Sequence, residues 1–177
     1  MKRILVALAC ATIAMAQPTR KEVTKATTPA DDAKPNSAAV PDVYAITGKF
    51  DRVVVLRFKY QADLLAGIER MVKEQKIRNA VILAGAGSVR NYQVHTVSNR
   101  TFPSKDTFVQ DLTAPADIVS MNGYVIEGRV HAHLTMANSD HAFGGHLEPG
   151  TNVFTFAIVT LGVFDGDLSR VDDKTYR

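Results

Sequence analysis

Four of the five histidines of this 177-residue chain lie within sixteen residues of one another, and they are the side chains best suited to chemistry. They are His131, His133, His141 and His146. His131 and His133 are separated by one residue, and alternate residues of a β-strand project from the same face. If they lie in a strand, the two imidazoles stand side by side. A His-x-His pair of this kind is a common way to place two nitrogen ligands on one metal ion.

A third imidazole can come from His146, which follows Gly144 and Gly145. Two glycines allow a tight backbone turn, and we expect that turn to bring His146 back to the face of His131 and His133. Three neutral imidazoles suit Zn²⁺ or another divalent transition metal, and they leave a fourth position for water or a small ligand. The alternative is that these are three unrelated surface histidines beside a loop.

The other two histidines are interpreted differently. His141 follows a polar run at 138–140, and we expect it to be solvated in a turn. His95 is predicted to share a strand face with Asn91 and Gln93, outside the proposed ligand set. The sequence therefore favours three ligands, not five.

Glu127 is the acidic residue that we consider for catalysis. It lies on the same alternating face as His131. It could therefore act as a base, or it could contact a metal-bound histidine without binding the metal itself. A salt bridge with Arg129 or another neighbour is an equally good interpretation. Gly85 and Gly87 follow an apolar run without the further residues of a phosphate-binding loop, so they predict a tight turn.

The elements that must position these residues follow from periodicity. Residues 63–76 place Leu64, Ile68 and Val72 on one face of a predicted helix. Apolar and β-branched runs predict six strands, at 53–58, 80–84, 90–97, 117–121, 125–134 and 153–163. Asn122-Gly123 is a hairpin signal between the fourth and fifth of these. One helix among many strands indicates an α+β domain built on a mainly antiparallel sheet.

The first 41 residues differ in composition from the rest. Lys2 and Arg3 precede a 13-residue apolar run, and Ala14-Met15-Ala16 is a small-x-small cleavage site. The run is shorter than the ~20 residues needed to span a bilayer, so residues 1–16 predict a cleaved signal peptide and a bacterial periplasmic or secreted protein. Residues 17–41 hold four of the seven prolines and no glycine or aromatic residue, which predicts a flexible tether. The domain is then 42–177.

Charge and cysteine content exclude several classes of protein. Residues 42–177 contain fifteen Lys and Arg residues and fifteen Asp and Glu residues. A neutral domain opposes binding to a phosphate backbone, which requires a local excess of cations. Cys10 is the only cysteine, so a disulfide within the chain and a cysteine-based metal site are excluded.

Three segments together resemble the plants-and-prokaryotes-conserved (PPC) domain. They are Asp117-Ile-Val-Ser-Met-Asn-Gly123, His131-Ala-His133 and Gly144-Gly-His146. The resemblance runs from about Val43 to the C-terminus. It implies an α/β fold around an antiparallel sheet, assembly as a homotrimer, and metal at the positions of the three histidines.

The resemblance leaves three functions open. The first is an exported protein whose three-histidine site binds a small ligand or supports a metal-dependent reaction. The second is a DNA-binding regulator, as prokaryotic members are often labelled, although the Arg-Gly-Arg-Pro hook of plant relatives is absent here. The third is an oligomerisation module that a metal braces without catalysis.

Overall fold

The computed structural model describes residues 41, 43–99 and 105–171, together with a strand at 19–24 whose side chains are not described. These ranges contain one helix and eight strands. In chain order they are β1 (Thr19–Thr24), β2 (Phe50–Phe58), α1 (Leu64–Glu74), β3 (Ala80–Val97), β4 (Lys105–Asp111), β5 (Ala116–Ile126), β6 (Arg129–Ala137), β7 (Ala142–Leu147) and β8 (Asn152–Phe164).

All strand pairings are antiparallel, and the 18-residue strand β3 is at the centre of the sheet. The first half of β3 pairs with β5 and β8, whereas its second half pairs with β4 and β7. Strands β5, β6 and β7 pair in succession, and β7 returns to β3, so four strands close a ring. The predicted sheet of mainly antiparallel strands with one main helix is confirmed.

The helix begins as the sequence indicates. Asp63 caps it by accepting a hydrogen bond from the backbone N–H of Ala66 at 2.9 Å. Leu64, Ile68 and Val72 are buried and join the core between helix and sheet. The predicted helix is confirmed. It begins one residue later and ends two residues earlier than expected.

Gly85 and Gly87 do not end a strand, contrary to the prediction. The two strands predicted at 80–84 and 90–97 are one continuous strand, β3. A side chain at Gly87 would collide with the backbone of Phe156 and Ala157, and its φ is +143°. Glycine is therefore present because β8 approaches β3 closely, not because the chain turns.

The predicted hairpin at Asn122-Gly123 is also wrong. Both residues lie inside β5, where Gly123 has a φ of +136° and contacts the backbone of β6. The turn between β5 and β6 is formed by Glu127 and Gly128, with φ angles of 51° and 76°. Two successive positive φ angles are typical of a type I′ hairpin turn.

The N-terminal region contains an element that the sequence did not predict. Residues 19–24, inside the expected tether, form β1 and pair with β4. The predicted signal peptide at 1–16 lies outside the described residues. Within the described part of the chain, no helix has both the length and the apolarity that crossing a membrane requires.

Candidate metal centre

His131 and His133 lie on β6 and project from its exposed face, as the alternation predicts. Ala132 and Leu134, the residues on the opposite face, are buried in the core. The two imidazoles converge, since their Nε2 atoms are 3.1 Å apart. Two nitrogen ligands of one tetrahedral zinc ion are about 3.3 Å apart, given Zn–N bonds of about 2.0–2.1 Å. The distance is also that of a hydrogen bond between the two rings, so it fits either a His–His hydrogen bond or two ligands of one ion.

His146 reaches this pair by strand pairing and not by a Gly-Gly turn. It lies in β7, directly opposite His133 on β6 and His95 on β3. A side chain at Gly144 would collide with the carbonyl oxygen of Leu134, and one at Gly145 with that of His95. The two glycines let β7 fit between its neighbours, so the residues were correctly chosen but the predicted turn was wrong.

The three predicted site histidines are brought together. The His146 ring centroid is 4.9 Å from that of His131 and 5.2 Å from that of His133. His131 and His133 are 5.1 Å apart by the same measure. Two neighbouring strands, β6 and β7, thus supply these three imidazoles.

Sequence reasoning did not include His95 in the site. Its ring stacks on that of His146 with centroids 4.5 Å apart and planes 21° from parallel. The His95 ring also packs against that of Phe108 of β4, with centroids 5.0 Å apart. Only the pairing of β3 with β7 brings His95 to His146, and nothing in the local sequence around residue 95 signals that pairing.

Glu148 is the second residue that was missed. Its Oε1 lies 2.6 Å from His95 Nδ1 and 3.6 Å from His146 Nδ1. The available signal was the His146-x-Glu148 spacing, which places both residues on one face of an extended chain. The ligand atoms of His95, His146 and Glu148 lie within 4.8 Å of one another, so this group could hold a metal ion.

The electrostatics of the cluster favour the neutral form of His133 and His146. Burial, followed by the neighbouring His95, His131 and His133, lowers the pKa of His146, and the Glu148 carboxylate only partly opposes this. Partial burial, followed by His131 and His95, likewise lowers the pKa of His133. The neutral form is the one that binds metal. In addition, His146 Nδ1 is buried and has no hydrogen-bond partner among the described residues.

His141 and Glu127 lie apart from this cluster. His141 is exposed at the loop between β6 and β7, where its backbone N–H donates to Asn138 Oδ1 at 3.0 Å, so the expectation of a solvated turn is confirmed. Glu127 is in the hairpin turn before β6 and accepts a hydrogen bond from Arg78 Nε at 2.8 Å. The salt-bridge interpretation is confirmed, with Arg78 as the partner instead of Arg129, and the catalytic interpretation stays a prediction.

The chain is an α+β domain whose antiparallel sheet carries a cluster of histidines on β3, β6 and β7. The sequence profile of the Plants and Prokaryotes Conserved (PCC) domain matches residues 45–165. The chain therefore belongs to this family, and the resemblance seen in its motifs is confirmed.

Two solved structures share the fold. The metal-containing protein AF0104 from Archaeoglobus fulgidus is 20% identical, with a TM-score of 0.59 over 71% of this chain and 88% of that one. A plant- and prokaryote-conserved protein from Pyrococcus horikoshii is 23% identical, with a TM-score of 0.53 over 70% of this chain and 84% of that one. At these identities the likeness establishes the fold alone.

One curated relative is much longer than this chain. The bifunctional protein GlmU of Synechococcus sp. (strain JA-3-3Ab) is 26% identical over 129 residues, which are 72% of this chain and 20% of that protein. The chain thus spans about a fifth of the length of that relative, and the similarity concerns this segment only.

Proposed function

We propose that this chain is an exported PCC-domain protein with a divalent-metal centre that binds a small ligand or supports a metal-dependent reaction. Its ligands are His131, His133 and His146. The observation that carries the proposal is the 3.1 Å separation of His131 Nε2 and His133 Nε2, with the His146 ring beside both. The metal-containing A. fulgidus protein of the same fold is consistent with this function.

The residues present fit a zinc ion. The donor set is three imidazoles, and the lowered pKa values of His133 and His146 keep two of them neutral near pH 7. A bound Zn²⁺ would polarise an oxygen ligand or lower the pKa of a bound water to about 7. Because His131 and His133 are exposed, a fourth ligand would have access from solvent. That access would admit water or another small ligand.

Self-association is the second part of the proposal. Large apolar side chains are exposed on the outer side of β2, β8 and the first half of β3, including Val53, Val55, Leu83, Phe154, Phe156 and Ile158. A sheet face of this kind requires another layer to cover it. We propose that copies of this chain supply that layer, with the homotrimer implied by the resemblance as the assembly.

Metal analysis of purified variants tests the centre. Wild-type protein supplied with Zn²⁺ should carry one ion per chain. His133→Ala should lose most of the metal and stay folded, since the buried face of Ala132 and Leu134 is untouched. His141→Ala is the matched control and should keep its metal. A wild type without stoichiometric metal, or a His141→Ala variant that loses it as fully as His133→Ala, would contradict the ligand assignment.

Export is tested on the chain as it is produced in a bacterium. The expected product begins at Gln17 and occurs outside the cytoplasm, because the cleavage site ends at Ala16. N-terminal sequencing of the product after cell fractionation checks both points. A product that retains Met1 in the cytoplasmic fraction would contradict export without affecting the metal centre.

A further inference from the structure

Glu148 lies between two imidazoles, neither of which belongs to the His131–His133 pair. Its carboxylate oxygen Oε1 accepts from His95 Nδ1 at 2.6 Å and faces His146 Nδ1 at 3.6 Å. The three side chains are four-fifths buried, with exposed fractions of 21% for His95, 22% for His146 and 20% for Glu148. A carboxylate in such surroundings is a strong hydrogen-bond acceptor.

The His146 ring is held in a second way, by stacking. Phe108, His95 and His146 are opposite one another on β4, β3 and β7, and their rings follow one another at 5.0 Å and 4.5 Å. Stacking fixes the plane of the His146 ring, whereas the carboxylate fixes which nitrogen points toward Glu148. The two constraints together leave Nε2 as the nitrogen that His146 can offer to an ion.

We propose that Glu148 and His95 are positioning residues that orient His146 for metal binding. Glu148 holds His95 in the tautomer that carries hydrogen on Nδ1 through their 2.6 Å hydrogen bond. It faces His146 Nδ1 at 3.6 Å, where its negative charge favours the same tautomer and where it would accept a hydrogen bond once that ring settles around an ion. Carboxylates that accept from the second nitrogen of a ligand histidine commonly tune metal sites in this way. The inference rests on the proposed metal centre.

The 2.6 Å contact between Glu148 and His95 favours a hydrogen bond between them over two ligands of one ion. Ligands of one tetrahedral zinc ion lie about 3.3 Å apart. The 2.6 Å between Glu148 Oε1 and His95 Nδ1 is much shorter than this and matches a charge-assisted hydrogen bond. The 3.1 Å between His131 Nε2 and His133 Nε2 is close to the ligand spacing. An ion held by His131, His133 and His146 would then lie on the side of His146 away from Glu148.

The first test uses metal-free protein, so it does not depend on zinc. In ¹⁵N NMR spectra at neutral pH, His95 and His146 of the wild type should be in the Nδ1–H tautomer. In Glu148→Ala, His146 should shift toward the Nε2–H tautomer, and Glu148→Gln should retain part of the wild-type pattern because its amide oxygen still accepts. An Nε2–H tautomer of His146 in the wild type, or a pattern unchanged in Glu148→Ala, would overturn the proposal.

The second test measures Zn²⁺ affinity by competition with a chelator, and the visible spectrum after loading with Co²⁺. Glu148→Ala should bind zinc about 10–100-fold more weakly than the wild type. It should still bind one ion per chain, with the Co²⁺ band positions retained. His95→Phe, which keeps the stacking, should lose less affinity than Glu148→Ala. Asp140→Asn removes a comparable charge from the exposed loop between β6 and β7 and should match the wild type.

The outcomes separate this inference from the proposed function. If Glu148→Ala and His95→Ala lose the ion completely while His131→Ala keeps it, Glu148 and His95 are ligands and the positioning role is wrong. Equal affinity of Glu148→Ala and wild type also overturns it. If the tautomers respond to Glu148 but the wild type binds no ion, the metal function fails and the orienting contact stands.

Discussion

The two halves of β3 belong to one strand but differ in chemistry. Residues 80–89 pair with β5 and β8 and bury Ala80, Ile82 and Val89. Residues 91–97 pair mainly with β4 and β7 and carry Asn91, Gln93 and His95 on one face. Register shifts against β8 between Gly87 and Asn91 separate the halves. Bulges of this kind re-aim side chains beside functional sites, so the cluster begins where β3 changes partners.

This comparison shows how one sheet can serve two purposes. The apolar half has few polar side chains and leaves hydrophobic residues on its outer side, a surface suited to association. The polar half gathers imidazoles from three strands because β7 inserts between β6 and β3. If the two halves are independent in this way, a substitution in the apolar half should leave metal binding intact. A substitution in the polar half should leave self-association intact.

The largest effect is expected from Gly145→Ala in the polar half. The added Cβ collides with the carbonyl oxygen of His95, so β7 must move away from β3 and take His146 with it. We expect a loss of about 2–3 kcal/mol in the free energy of unfolding and the loss of most zinc binding. Urea denaturation and zinc titration measure the two effects.

Gly128→Ala is the matched control for this change. Gly128 has a φ of +76°, but an added Cβ there has no neighbour within 4 Å. Its cost should be only the backbone strain of about 1–2 kcal/mol, with zinc binding unchanged. Normal zinc affinity in Gly145→Ala would show that the packing of β7 against β3 does not build the centre.

The second prediction concerns the apolar half. Phe156→Asp places a charge on the outer face, so it should dissociate the assembly while zinc binding per chain is retained. Light scattering should give about three times the chain mass for the wild type and one chain mass for the variant. Glu69→Lys, on the exposed side of α1, is the control and should stay assembled. A wild type that is monomeric at micromolar concentration would contradict the assembly.

How much the sequence could predict depends on the range of the interactions. The period-two pattern of β6 separated the exposed His131 and His133 from the buried Ala132 and Leu134, and local periodicity also predicted α1. Both signals are contained in neighbouring residues. The fold class and the three-histidine group follow from such signals together with the family motifs.

The remaining features depend on contacts between distant parts of the chain. His95 and Glu148 join the site only through the pairing of β3 with β7, which no local pattern specifies. Gly85, Gly87 and Gly123 suggested turns, but in the structure they allow close packing inside strands. A glycine has the same local signature in both cases, so the sequence alone could not distinguish them.

The third prediction concerns pH and the metal-free protein. The pKa values of His133 and His146 are lowered in the folded state, so the unfolded chain binds more protons below its ordinary histidine pKa of about 6.5. The free energy of unfolding should therefore be constant above that pH and decrease as the pH falls below it. Urea denaturation from pH 7.5 to 5 measures the slope.

Variants assign that slope to the polar half. His146→Gln should flatten the acid side of the profile, whereas His141→Gln, in the exposed loop, should leave it as in the wild type. A profile that is equally steep in His146→Gln would place the responsible groups elsewhere in the chain.

The smallest effect is expected with DNA, because neither half of β3 offers the charge that phosphate binding requires. The outer side of the first half is apolar, and the second half carries His95, which faces Glu148. Residues 42–177 have equal numbers of basic and acidic side chains, and Arg52, Arg70 and Arg78 each lie within 4.0 Å of a carboxylate. Nonspecific binding at physiological salt should therefore be weaker than the usual ~10⁻⁴–10⁻⁶ M, with little dependence on salt because few counterions would be released.

Fluorescence anisotropy with a labelled duplex at several salt concentrations measures both the affinity for DNA and its dependence on salt. Micromolar binding that weakens steeply with salt would mean that the assembled protein presents a basic surface that the single chain lacks.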